Sequence, residues 1–229
     1  MVILTILSVV LSAAVGSRWF SPILQVAAVF PFFSAAMRRH KHHESLALAA
    51  RWGAALFVTT IVVGVFVPGR IGASVPFAQL TTAALANWIR FPDAPPPADY
   101  GYLLWGLVGF LLATLVSGGL LGFVLASVAL GNAALGALFL LRYSENVIQI
   151  TMVAVPLWHW GIIAAAILML VPASLPFFQR YVRIERVVEG RTVLRGFLYM
   201  GGAMVVASLL LRAVTAGPWR NILREWTIF

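Results

Sequence analysis

The chain has 229 residues, 62% of them hydrophobic and 10% charged, and a net charge of +9 from 16 Lys and Arg against 7 Asp and Glu. Soluble domains run about 45–50% apolar, so this chain lacks the polar surface to cover a globule in water. Cysteine is absent, which excludes a disulfide framework, a thiolate nucleophile and a Cys-ligated metal. The basic residues fall in short clusters between apolar blocks, the pattern of a multi-span membrane protein and not of a nucleic-acid-binding face.

At about 20 residues per span, the length accommodates an all-α, polytopic transmembrane bundle of about six or seven helices, forming one integral membrane domain over residues 1–229 with a re-entrant or broken segment. Residues 1–37 read as an N-terminal hairpin, its arms separated at Ser17-Arg18. The basic stretch from Arg38 to Arg51, with Arg38, Arg39 and Lys41 at its start, resists translocation and is assigned to the cytoplasm. The span beginning at Trp52 ends at Pro68-Gly69, and 70–101 reads as an outer loop in which Val75 to Ile89 lies as an interfacial helix.

The central helices occupy 102–178. No charge occurs from Tyr102 to Leu141, about twice the length of one span, so this stretch must turn back. Gly118, Gly122 and Ala126 recur at four-residue spacing, a small-residue face for close helix packing; this favours a break at Gly131-Asn132, with Ser117 to Gly119 as the competing break. Pro156 is expected to kink or break the helix that holds it. A second basic loop, 179–196, carries Arg180, Arg183, Arg186, Arg191 and Arg195, and is also assigned to the cytoplasm; both basic loops are read as contacts for anionic lipid or for partner subunits. The last span is 197–216, and the tail from Trp219 reads as interfacial.

Few residues in the apolar blocks can carry chemistry. Asn132, Arg142, Glu145, Asn146, Gln149, His159 and Arg212 are the polar membrane candidates. Arg142 and Glu145 share a helical face if helical, His159 follows Pro156 by three residues, and Arg212 lies deep in the final block, where it either meets a polar group or snorkels. His40, His42, His43 and Glu44 are dense enough to raise a metal, yet the neighbouring Arg and Lys oppose a cation, so no metal is assigned. No cofactor and no catalytic residue are expected, and the motifs of an autonomous ATPase or zinc protease are missing from the sequence.

The segment Gly131-Asn132-Ala133-Ala134-Leu135-Gly136, followed by Val155-Pro156-Leu157-Trp158-His159-Trp160-Gly161 and the small-residue run Ala164-Ala165-Ala166, resembles the stage II sporulation protein M family over its central portion. Two positions depart from the family pattern: Ile163 to Ala165 stand where an acidic residue follows the histidine, and Arg212 where the last span carries one. The resemblance implies a bacterial inner-membrane protein that organises partners without catalysis. The expected function is therefore a scaffold or assembly subunit. The alternative is a permease or channel-like subunit, served by a separate ATPase on the 179–196 loop, and a membrane-embedded enzyme using His159 with Glu145 ranks third.

Overall fold

The computed structural model describes residues 1–97, 100–144, 149–150, 153–182 and 190–228, the side chains of Tyr102, Gly190 and Arg191 excepted. Glu145, Asn146, Arg183 and Arg186 from the sequence reading lie outside the described residues, as does the side chain of Arg191. The described residues form ten α-helices: α1 Val2–Val15, α2 Phe20–Ala27, α3 Phe30–Arg38, α4 His42–Phe66, α5 Pro68–Ser74, α6 Ala78–Arg90, α7 Tyr100–Ser117, α8 Leu120–Arg142, α9 Leu157–Tyr181 and α10 Gly190–Trp226. An apolar chain in lipid must satisfy its own backbone groups, which helices do within one segment. The only extended pairing among the described residues is an isolated bridge from Ser144 to Thr227.

Four of these helices, α4, α8, α9 and α10, are long and apolar enough to cross a membrane, and α2 with α3 makes a fifth if the pair, bent by 42°, is one span. They mark the chain as a membrane protein. The count falls below the six or seven expected in part because α1, at 14 residues, reaches only about 21 Å. The α2–α3 bend has a local cause. Pro31 has no N–H to give the carbonyl of Ala27 and its ring crowds that carbonyl, so the helix breaks across Ala28 and Val29.

The turn between α7 and α8 falls at Gly118 and Gly119, which corrects the break expected at Gly131-Asn132. Both glycines take left-handed backbone, with φ of 62° and 96°, a conformation open to Gly without Cβ strain. Gly118 is therefore a turn residue and not part of a helical face; a Cβ on it would lie 2.4 Å from Phe177. Gly122 does pack closely, since a Cβ there would meet Thr114 Oγ1 of α7 at 2.2 Å. Ala126, one turn on, is partly buried against the core. Gly131 and Asn132 lie inside an unbroken α8.

Of the two outcomes expected at Pro156, a kink or a break, the structure has the break: Pro156 is the N-cap of α9, extended at φ −68° and ψ 149°, and its carbonyl accepts from the N–H of His159 at 2.9 Å. This is a position where a missing N–H costs nothing. The last helix runs ten residues past the expected end at 216, and its tail is packed, with Leu223 fully buried beside Leu140 and Ile150.

The helices assemble around Phe123, whose ring meets Phe33 edge-on at 5.0 Å and Trp52 at 5.1 Å. α9 and α10 make the closest pair. A Cβ on Gly161 would fall 2.0 Å from Ser208 Oγ, and one on Gly201 would fall 2.8 Å from Met169, so the two backbones approach as small residues allow.

One end of the bundle gathers α3 and α4 at residues 38–43, the Gly118-Gly119 turn, and the facing ends of α9 and α10. His43 meets Phe197 edge-on at 5.5 Å, and Gly119 abuts Phe33 and Ser174. The described parts of the two basic connectors therefore share one end.

The segment read as an interfacial helix behaves differently. α5 turns back along α4, with Ile71 against Gly64, and brings Val75 down to Gly131 at the midpoint of α8. α6 then climbs, passing Asn132 at Thr81 and Gly136 at Leu85. Together they form a hairpin that enters from the end opposite the basic connectors and reaches halfway through the bundle.

Candidate functional site

The tip of this half-depth hairpin is built on Asn132. Its side chain projects from α8 toward the loop between α5 and α6, where Pro76 supplies no N–H of its own and Phe77 takes a left-handed φ of 64°. Asn132 Nδ2 donates to the carbonyl of Pro76 at 2.9 Å and to that of Val128 at 2.8 Å, while Oδ1 accepts from Thr81 Oγ1 at 2.9 Å. One amide thus ties the hairpin tip, the first turn of α6 and its own helix together. Such bonds hold because the alternative is a bare carbonyl away from water.

A second polar knot lies on α2 and was not singled out in the sequence. Gln25 is buried; its Nε2 donates to Ser21 Oγ at 3.0 Å, its Oε1 accepts from Ser127 Oγ of α8, and its backbone carbonyl accepts from Trp52 Nε1 of α4 at 3.1 Å. The signal was a lone glutamine in an apolar block, weak because it is uncharged.

Arg212 meets Tyr100. Arg212 sits one turn beyond Ser208 on α10, is 5% exposed, and lays its guanidinium over the ring of Tyr100 of α7 at 4.6 Å. His159 lies in the first turn of α9. The helices α7 and α10 thus meet through one cation, stacked on an aromatic face as a guanidinium can be. The stacking partner, Tyr100, escaped sequence reasoning because the contact spans more than 100 residues.

The remaining candidates are dispersed. Arg142 and Gln149 are exposed where α8 ends. Asn132 lies at mid-depth in α8, ten residues before its end at Arg142. Arg38, Arg39, Lys41, Arg180 and Arg195 are all exposed, with Lys41 paired to Glu44 at 2.9 Å. Among the described residues no three His, Asp or Glu side chains gather to hold a metal ion.

The packed tail completes the far end. Trp219 packs between Trp88, tilted against it at 5.4 Å, and Trp158, edge-on at 5.3 Å, and donates to the carbonyl of Val153 at 2.7 Å. Arg220 donates to the carbonyls of Phe91 and Pro92, and Arg224 to those of Ile89 and Arg90. The carbonyls of Ile89 and Arg90 end α6 and carry the negative pole of its dipole, which the Arg224 cation stabilises, while Arg220 holds the extended residues that follow.

No family model, curated protein or solved structure matches the chain.

Proposed function

We propose that the chain is a non-catalytic, multi-span scaffold or assembly subunit of a bacterial inner-membrane complex, similar in kind to the stage II sporulation protein M family. The observation that carries this reading is the employment of its mid-depth polar groups. Asn132 and Gln25 each spend their side chains on bonds that clamp neighbouring helices, as structural polar groups in a bundle do. A conducting path would instead present such groups to solute. In this reading both basic connectors face the cytoplasm, where they meet anionic lipid and partner subunits.

A permease-like subunit is the second reading, and the α5–α6 hairpin favours it. Backbone that dips to half depth and returns is found in membranes where it is sheltered by protein or lines an aqueous cavity. One pair of measurements separates the two. Purification in mild detergent should return a stoichiometric partner chain that is lost on charge reversal of Arg180 and Arg195, while vesicles holding the pure chain should show no solute or ion flux above empty vesicles. Flux that vanishes on Asn132→Leu, with no partner retained, would replace the scaffold by the permease.

A further inference from the structure

A groove runs along the outer side of α3. It has a volume of about 260 Å³ and is lined by Phe30, Pro31, Ser34, Ala35 and Arg38. The opposite face of the same helix, Phe33, Ala36 and Met37, is buried in the core, so the groove faces away from the bundle. Its form follows from the sequence: the bulky Phe30 and Arg38 stand two turns apart, about 12 Å along the axis, and only the small side chains of Pro31, Ser34 and Ala35 fill the interval.

Chemistry changes along its length. Phe30, Pro31 and Ala35 make an apolar floor, Ser34 offers a hydroxyl, and Arg38 closes the end. Beyond it Arg39 and Lys41 are exposed within three residues. The chain is turned sharply there, with His40 at a left-handed φ of 56° and the N–H of Lys41 bonded back to the carbonyl of Ala36 at 3.0 Å. Arg38 is thus the cation that lines the groove, with Arg39 and the Lys41–Glu44 pair exposed just beyond it. An apolar trough leading to a cationic mouth is complementary to one molecule abundant in a membrane: a phospholipid with a negatively charged head.

We infer that the α3 groove is a site for a single anionic phospholipid, one acyl chain lying along Phe30, Pro31 and Ala35 and the phosphate held by Arg38 with Ser34. This rests on the proposed membrane reading and sharpens its diffuse lipid contact into one place. It also explains a choice in the sequence. A bulky side chain at 34 or 35 would be harmless on a helix face that merely met lipid tails, yet these positions are small.

The test is retention of phosphatidylglycerol, against phosphatidylcholine of the same chains, by the purified full chain, counted by native mass spectrometry. Wild type should keep one phosphatidylglycerol in preference to phosphatidylcholine. Arg38→Gln should lower that preference about fivefold, the weight of one basic residue at a membrane surface. Ala35→Trp should abolish retention with every charge intact, and Ser34→Phe serves as a second filling variant should Ala35→Trp fold poorly. Arg51→Gln, exposed outside the groove, should change nothing. Retention that survives both filling variants, or falls equally with Arg51→Gln and Arg38→Gln, overturns the site and leaves a diffuse attraction of lipid to the basic end. Absence of any phosphatidylglycerol preference in wild type overturns the site and the lipid contact of the proposed function together.

Discussion

Thr81 of α6 and Asn132 of α8 are joined through their side chains at 2.9 Å, and that bond fixes how far the α5–α6 hairpin descends. The neighbouring bond from Asn132 to the carbonyl of Pro76 fixes its tip. Asn132→Leu leaves Pro76 without its donor and Thr81 without its acceptor, a cost on the order of 2–3 kcal/mol. Thermal unfolding in detergent should show a lowered midpoint, with Thr81→Val causing a smaller drop. Midpoints equal to wild type would mean that the hairpin is held by packing alone.

The α7–α8 pair makes a prediction of the opposite kind, in which adding atoms does harm. Gly122→Ala places a methyl against Thr114 Oγ1 and should cost about 1–3 kcal/mol by overpacking. Thr114→Ala in the same chain should recover most of the loss, which a double-mutant cycle measures. Gly106→Ala and Gly109→Ala on α7, where a Cβ meets nothing within 4 Å, should be tolerated. A cycle with no coupling would separate the two residues.

At the far end, Arg224 caps the carbonyls that close α6 and Arg220 holds the residues that follow. Arg220→Ala with Arg224→Ala should loosen that helix end before it affects the bundle. Hydrogen exchange of the amides from 86 to 91 should accelerate, while amides of α8 near Phe123 keep their protection. Uniform acceleration throughout the chain would show that the tail supports the whole fold.

Because the chain holds no cysteine, orientation can be read directly from single replacements. Arg39→Cys and Arg195→Cys should react with an impermeant maleimide only after the membrane is opened, and Asp93→Cys should react in intact cells. Labelling of Arg39→Cys and Asp93→Cys from the same side would be incompatible with α4 crossing the bilayer.

Arg212→Lys tests the stacked cation. Lysine keeps the charge but loses the planar face that covers Tyr100, so stability should fall by about 1 kcal/mol. Tyr100→Leu should cause a similar loss, and combining the two should add little. Full additivity would show that the ring and the guanidinium act separately.

The all-helical, lipid-facing character was legible because composition and charge clustering are sums over many residues. Boundaries depended on single residues with competing roles. Gly118 matched the spacing of a packing face, but beside Gly119 it had a cheaper use, the left-handed turn. Pro156 could kink a helix or break it, and the two look alike in one dimension. The segment Val75 to Ile89 read as interfacial because it is weakly amphipathic and ends in Trp88, whereas Thr81 finds its partner 51 residues away. Arg212 was marked by its rarity in an apolar block; that Tyr100 would cover it depends on how α7 packs on α10, which no local pattern encodes.

The two-residue turn at Gly118-Gly119 also bears on how the chain is made. No hydrophilic connector separates α7 from α8, and neither carries a charge between Leu103 and Leu141. The pair therefore leaves the ribosome as one greasy unit, with nothing to hold the first arm in water while the second is synthesised. Its arms commit to lipid in a single step, and the insertion machinery has to admit both at once.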